Sequence, residues 1–174
     1  MSGNPENTSV WGDANAFVAP KGTTLPADID TEFGAGWELV GILDGSAGLP
    51  EGRSRSETDH SGWGVGIIKT TFKDEKVEVM FTALEWNETV RGLVYPGSSA
   101  GKLRFGKPDL VLFGFEVIEG DRKRRLISAG ECRILTTGNI ERGEETLEKY
   151  PLKAIIYPDA DGDHFIEQDT ALAA

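Results

Sequence analysis

The sequence predicts a mainly β protein, an antiparallel β-sandwich or barrel with one short α-helix and a long inter-strand loop. Three observations lead there. Apolar, β-branched and aromatic residues fall into short runs bounded by Gly, Pro, Asp and Asn, the pattern of strands separated by turns. A helix start followed by helical spacing occurs at one place, after Asn87. Between the first two apolar runs lies a polar stretch, Asp44 to Gly62, far longer than a hairpin turn requires.

Taken in order, residues 1–16 are small and polar around Trp11 and read as an arm that orders only when it lies on something. Residues 20–36, rich in Gly, Thr, Pro, Asp and Ala, read as loop. Glu38 to Leu43 is a short strand, and Asp44 to Gly62 a loop of about 19 residues, a length that is usually functional or mobile. Trp63 to Phe72 and Lys76 to Trp86 form a hairpin turning at Lys73-Asp74-Glu75. On its second strand Val77, Val79 and Phe81 share one face and Met80, Leu84 and Trp86 the other. A sheet with one wet face would place polar residues on one side, so this strand is expected to be covered on both.

Asn87 is a good helix N-cap and Glu88 an acid in the first turn, while Pro96-Gly97 stops the helix through Thr89, Val90, Leu93 and Val94. Residues 97–109 are loop. Leu110 to Ile118 and Arg122 to Leu135 make a long hairpin around Glu119-Gly120-Asp121, again apolar on both faces. A charged connection, 138–150, leads to a last strand pair, Leu152 to Tyr157 and His164 to Gln168, turned by Pro158 to Asp163.

The chain has 174 residues, most simply one domain able to bury about 70% of its unfolded surface. Against 18 Lys and Arg stand 29 Asp and Glu, a net charge of −11 that repels nucleic acid. The single cysteine, Cys132, permits no intrachain disulfide and no cysteine zinc site, and mid-strand it reads as a buried, inert thiol. MSGNPENTSV has neither the basic region nor the apolar core of a signal peptide, and no apolar run approaches membrane-spanning length.

Nothing spells out catalysis. His60 lies in a loop and His164 at a turn, and neither has a nucleophile or metal-ligand context. Gly62, Gly64 and Gly66 lack the helix and acidic partner of a dinucleotide site and suit a close backbone approach or a bulge. Asp159, Asp161 and Asp163 alternate as calcium ligands do, but His164 and Thr170 stand where an EF-hand needs Gly and Glu, which favours a solvated turn. The basic run Arg122-Lys123-Arg124-Arg125 is a solvated hairpin end or a patch that pairs with the acidic 141–169 segment of another copy; a nucleic-acid patch is the functional rival, and no aromatic interleaving supports it. Arg53, Arg55, Glu57 and Asp59 nearly alternate in sign along the long loop, which suits a contact that orders on binding as well as a plain spacer. Without any resemblance, the residues describe an acidic, non-catalytic β protein that self-associates.

Three segments carry a resemblance. Trp37-Glu-Leu-Val-Gly41 is followed by Leu43-Asp44-Gly45; Phe81-Thr-Ala-Leu-Glu-Trp-Asn-Glu-Thr89 leads to Tyr95-Pro96-Gly97; and Tyr157-Pro-Asp-Ala-Asp-Gly162 lies near the C-terminus. Across roughly residues 10–168 the chain resembles the major tail proteins, or tail tube subunits, of long-tailed bacteriophages, in particular those of actinobacteria. The resemblance implies a structural virion protein, with no enzyme activity and no cofactor, that forms hexameric rings stacking into the tail tube. DNA passes through that tube without specific binding, around a tape measure protein and between tail terminator and distal-tail proteins. Assembly is implied in the host bacterial cytoplasm, with no membrane partner. It makes 1–174 a single tail-tube domain, with 1–16 as a stacking arm and 44–62 as the assembly loop, in which Asp44, Arg53, Arg55, Glu57 and Asp59 reach the adjacent ring. The helix after Asn87 is implied to lie on the outside of the sandwich. Glu78, Glu116 and Glu131 on the long strands become candidates for the lumen wall. The alternatives are a tail terminator or distal-tail ring, which shares the fold, and a carbohydrate- or ligand-binding β-sandwich using Trp37, Trp63 and Trp86.

Overall fold

Alternation sets the strands that carry the core. In the computed structural model, which describes residues 8–171, Tyr150–Ile156 alternates buried and half-buried positions along its whole length, and Tyr150, Leu152, Ala154 and Ile156 face inward. The elements among the described residues are β1 (Asp13–Pro20), β2 (Glu38–Leu39), β3 (Glu51–Gly62), β4 (Gly66–Ala83), α1 (Glu88–Val94), β5 (Val111–Glu119), β6 (Arg122–Ser128), β7 (Cys132–Thr136), β8 (Tyr150–Ile156) and β9 (Phe165–Asp169). Every pairing is antiparallel, in the order β2-β1-β5-β7-β8-β4-β3, with β6 branching from β5 and β9 from β6.

The branch makes the sandwich. The first residue of β5, Val111, pairs with Cys132 of β7, whereas Gly114 to Glu119 pair with β6. The sheet therefore forks and folds over itself. Phe81 of β4 and Phe113 of β5, three places apart in strand order, stack at 5.3 Å between ring centroids across the core. At the corner between β6 and β7 the chain passes Gly130, where a side chain would put its Cβ 2.5 Å from the Tyr157 carbonyl oxygen. Glycine is what lets these two backbones approach.

The helix forms as its cap dictates. The Asn87 side chain accepts from the Val90 N–H at 2.8 Å and donates to the Val40 carbonyl at 2.9 Å. Val90 and Val94 enter the same apolar cluster as both layers, so α1 contributes to the main core beside β7 and β8. Asn87→Ala removes the cap and leaves the Val40 carbonyl without this donor. A loss of about 1–2 kcal/mol in urea unfolding is expected.

Several boundaries differ from the sequence reading. Asp13 to Ala16 belong to β1, paired with β5 throughout, so this part of the expected arm is a sheet strand; residues 1–7 lie outside the described residues. The strand expected over Glu38 to Leu43 is ladder for two residues, after which single links tie Val40 to Ala16 and Leu43 to Ala83. The strand expected over 122–135 is broken by the corner at Gly130. The expected last strand pair does not pair with itself. β8 lies between β4 and β7, while β9 joins β6.

The largest difference concerns residues 44–86. Glu51–Gly62, expected to be loop, is a strand, and Lys73-Asp74-Glu75, expected to be a turn, lies inside the 18-residue strand β4. Asp74 has φ 55, and the register slips opposite it between Ser54 and Ser56, so the turn-like triplet is a bulge. The turn falls at Gly62-Trp63-Gly64-Val65-Gly66, closed by Val65 N–H to Gly62 carbonyl at 3.2 Å, with Gly64 and Gly66 at positive φ.

Candidate assembly surface

The β3–β4 hairpin leaves the body where β4 loses its other neighbour. Val77 is the last β4 residue paired with β8, and beyond it β3 and β4 have only each other. All of Glu51 to Ser61 is exposed. Cross-strand polar pairs brace the free-standing part. Arg55 binds Glu75 at 2.8 Å and lies over the Phe72 ring, Thr70 donates to Asp59 at 2.7 Å, and His60 meets Thr71 at 3.2 Å. At its end Trp63, Val65, Ile67 and Ile68 are exposed, Trp63 completely. Soluble surfaces rarely leave such a cluster uncovered. Sequence reasoning placed Trp63 in a strand of the body. The signal for a tip was the Gly62, Gly64, Gly66 spacing.

The other expected loop contact residues divide. Arg53 binds Glu51 at 2.6 Å and Glu57 is exposed along β3. Asp44 faces back into the body. It accepts from Lys149 at 2.5 Å and from the Ser46 hydroxyl and N–H, and these bonds, Lys149 first, hold its carboxyl down at about 2.

The basic run is a strand, with its side chains spent on both faces. Arg125 is buried. It donates to Glu116 at 3.1 Å, to the Asp28 and Thr31 carbonyls at 3.1 and 2.9 Å, and to Gln168 at 3.0 Å, with its guanidinium over the Phe33 ring. Asn15, Glu116, Arg125 and Gln168 are register partners across β1, β5, β6 and β9, so the network is one polar row crossing four strands. Gln168 also donates to the Pro26 carbonyl, and Phe33 stacks on Phe17 at 4.1 Å. The row thus clamps residues 26–33 over the outer face of the β1–β5–β6–β9 layer. Lys123 approaches the same Glu116 at 3.8 Å.

On the opposite face Arg124 and Arg122 bind Asp169 at 2.7 and 3.5 Å, and both guanidinia lie near the Trp11 ring. Burial raises the Asp169 carboxyl, but the Ala171 N–H and the two arginines outweigh it and leave it below the usual range. Glu78 is held low by Lys76 first and then Lys153. Asp44, Glu78 and Asp169 therefore stabilise the fold above the ordinary carboxylate pKa near 4, and that contribution fades as each protonates. A urea midpoint that is level at neutral pH and falls from about pH 4 towards pH 2 is expected.

Of the three acids read as wall candidates, Glu78 bridges Lys76 and Lys153 on the outer face of β4, and Glu131 binds Lys21. Glu116 is buried in the polar row. The alternating aspartates form a turn, with Asp159 Oδ1 accepting from the Asp161 and Asp163 N–H groups at 2.9 Å each. Among the described residues no group of three His, Cys, Asp or Glu is placed to hold a metal, and no helix is long and apolar enough to cross a membrane. Burial pushes the Cys132 thiol up to about 12, so it resists becoming a reactive thiolate.

Compared with known families, the sequence matches the model described as Phage tail tube protein over residues 1–174, its whole length. No curated protein matches it.

Proposed function

Since this chain belongs to the phage tail tube protein family, and is thus a structural component of the virion tail, we propose that six copies close into a ring and that rings stack into the tube through which DNA leaves the particle. The observation that carries this reading is the free-standing β3–β4 hairpin, exposed along nearly all its length and apolar at its end. A lone subunit gains nothing from such an arm, whereas a stack of rings gains a contact from each one. Arg53, Arg55, Glu57 and Asp59 travel on this hairpin and are proposed to meet the adjacent ring. Asp44 stays at its base.

Ring closure has its own requirement. β3 and β9 end their branches with one free edge each. Joining such edges between subunits removes the aggregation hazard of open strands and gives a continuous wall. Arg122 and Arg124, partly exposed beside Asp169, are what the basic run offers for pairing with a neighbour's acids. Glu78 and Glu131 are the proposed wall acids, each tempered by lysine, in a chain of net charge −11 that lets DNA slide without adhering. The tape measure protein inside, the terminator and distal-tail proteins at the ends, and assembly in the bacterial cytoplasm complete the proposal.

Negative-stain electron microscopy over a concentration series tests it. Hollow tubes or stacked rings of one diameter are expected. Closed rings that never stack would move the chain to the terminator or distal-tail role, and monomers throughout would overturn ring formation by this chain alone.

A further inference from the structure

The hairpin has an end in need of a seat, and the same chain carries a seat of fitting chemistry. Between the start of β1 and the 41–49 segment, at the hairpin's own base, lies an open cleft of about 750 Å³. Leu39, Ile42 and Leu49 give it apolar lining, and Asp13 and Glu85 make its walls acidic beside Glu51, which Arg53 pairs. The one lysine or arginine on those walls, Arg124, is bonded to Asp169. The hairpin end is the complement. Residues 60–73 contain Lys69 and Lys73 and no acid, around the exposed Trp63, Val65, Ile67 and Ile68. The cleft's volume is in the range that buries a ligand-sized group, room for an indole with its aliphatic neighbours.

We propose that the tip of one subunit, Trp63 to Ile68, seats in the cleft at the hairpin base of a second copy of this chain, with Trp63 as anchor and Lys69 against the acidic rim. This rests on the tube reading and names the receptor for the arm. The contact is heterologous, one surface against a different one, so it propagates as a stack instead of closing on itself. From Glu51 to Gly62 the hairpin reaches about 35 Å at strand rise. Tip and cleft thus stand one hairpin length apart on the same molecule, and that length becomes the spacing between stacked subunits. A tryptophan seated against apolar side chains is the usual dominant contributor to an interface, and opposite charges on rim and tip select the register.

A cysteine pair tests the seat. Val65→Cys with Leu49→Cys, assembled and mildly oxidised, is expected to give a ladder of disulfide-linked oligomers on a non-reducing gel. Val65→Cys with the control Glu141→Cys is expected to give none. Tubes that assemble without a ladder, or with equal ladders from both pairs, overturn the cleft as receptor and leave the tube reading standing. If the purified subunit forms no tubes, sedimentation velocity at high concentration reads the contact directly. Weak association in the wild type, lowered at least tenfold by Trp63→Ala and by Leu49→Asp alike, is then expected. Association indifferent to Leu49→Asp overturns the seat, and no association at any concentration overturns both the seat and the tube reading.

Discussion

Replacing Arg125 by methionine is expected to destabilise the subunit by about 3–5 kcal/mol in urea unfolding, the cost of removing one partner of a buried ion pair. The side chain is 1% exposed, and what it leaves behind is expensive. Glu116 keeps a buried charge with Lys123 at 3.8 Å and the Asn15 amide at 3.4 Å in place of the guanidinium, and the Asp28 and Thr31 carbonyls and the Gln168 side-chain oxygen each lose a donor. Phe33 loses the cation over its ring, so residues 26–33 lose their main clamp on the sheet. The double variant Arg125→Met with Glu116→Leu is expected to recover most of the loss, because an apolar pair of similar volume carries no stranded charge. A double variant no more stable than the single one would show that the backbone clamp, and not the charge pair, dominates.

Cutting off the hairpin has the opposite signature. Joining Ser54 to Lys76 through Asn-Gly removes the free-standing part of β3 and β4 but keeps the ladder from Val77 onward that β8 shares. The deleted residues bury little against the body, so unfolding stability is expected to stay within about 0.5 kcal/mol of the wild type. Assembly into tubes is expected to be lost entirely by electron microscopy. A truncated chain that still polymerises would remove the hairpin from stacking. A large loss of stability would mean the arm belongs to the body.

What the sequence made legible follows burial. Where a strand has one face in the core, as β8 and the second half of β4 do, its apolar residues located it, although β4 was expected to be covered on both faces and Met80 on its other face and Trp86 just beyond its end are exposed. The Asn87 cap, the Glu119-Gly120-Asp121 turn and the Asp159 turn were readable because local chemistry determines them. The hairpin arm was hidden for the same reason. β3 is wet on both faces, so Glu51 to Gly62 has no period to detect, and its backbone ladder to β4 leaves no mark in side-chain pattern. The bulge at Asp74 and the corner at Gly130 each used residues that ordinarily punctuate turns. Arg125 looked like one of four surface cations. Nothing local distinguishes it, since its partners Glu116, Asp28, Thr31 and Gln168 lie in separate segments of the chain.

The pairing of β1 with β5 sets a clock for the newborn chain. Asp13 to Pro20 emerge from the ribosome about a hundred residues ahead of their partners, Val111 to Ile118. At about 5–20 residues per second, the first strand waits some 5–20 seconds for an edge to join. The β3–β4 hairpin closes far sooner, its ends being neighbours in sequence, and carries its sticky tip through that interval. In a cell making many copies at once, the arm is available before the body that should receive it exists. Slower translation therefore lengthens the period of exposure to wrong partners, and yield of soluble subunit is expected to fall with crowding of nascent chains more than with the stability of the finished fold.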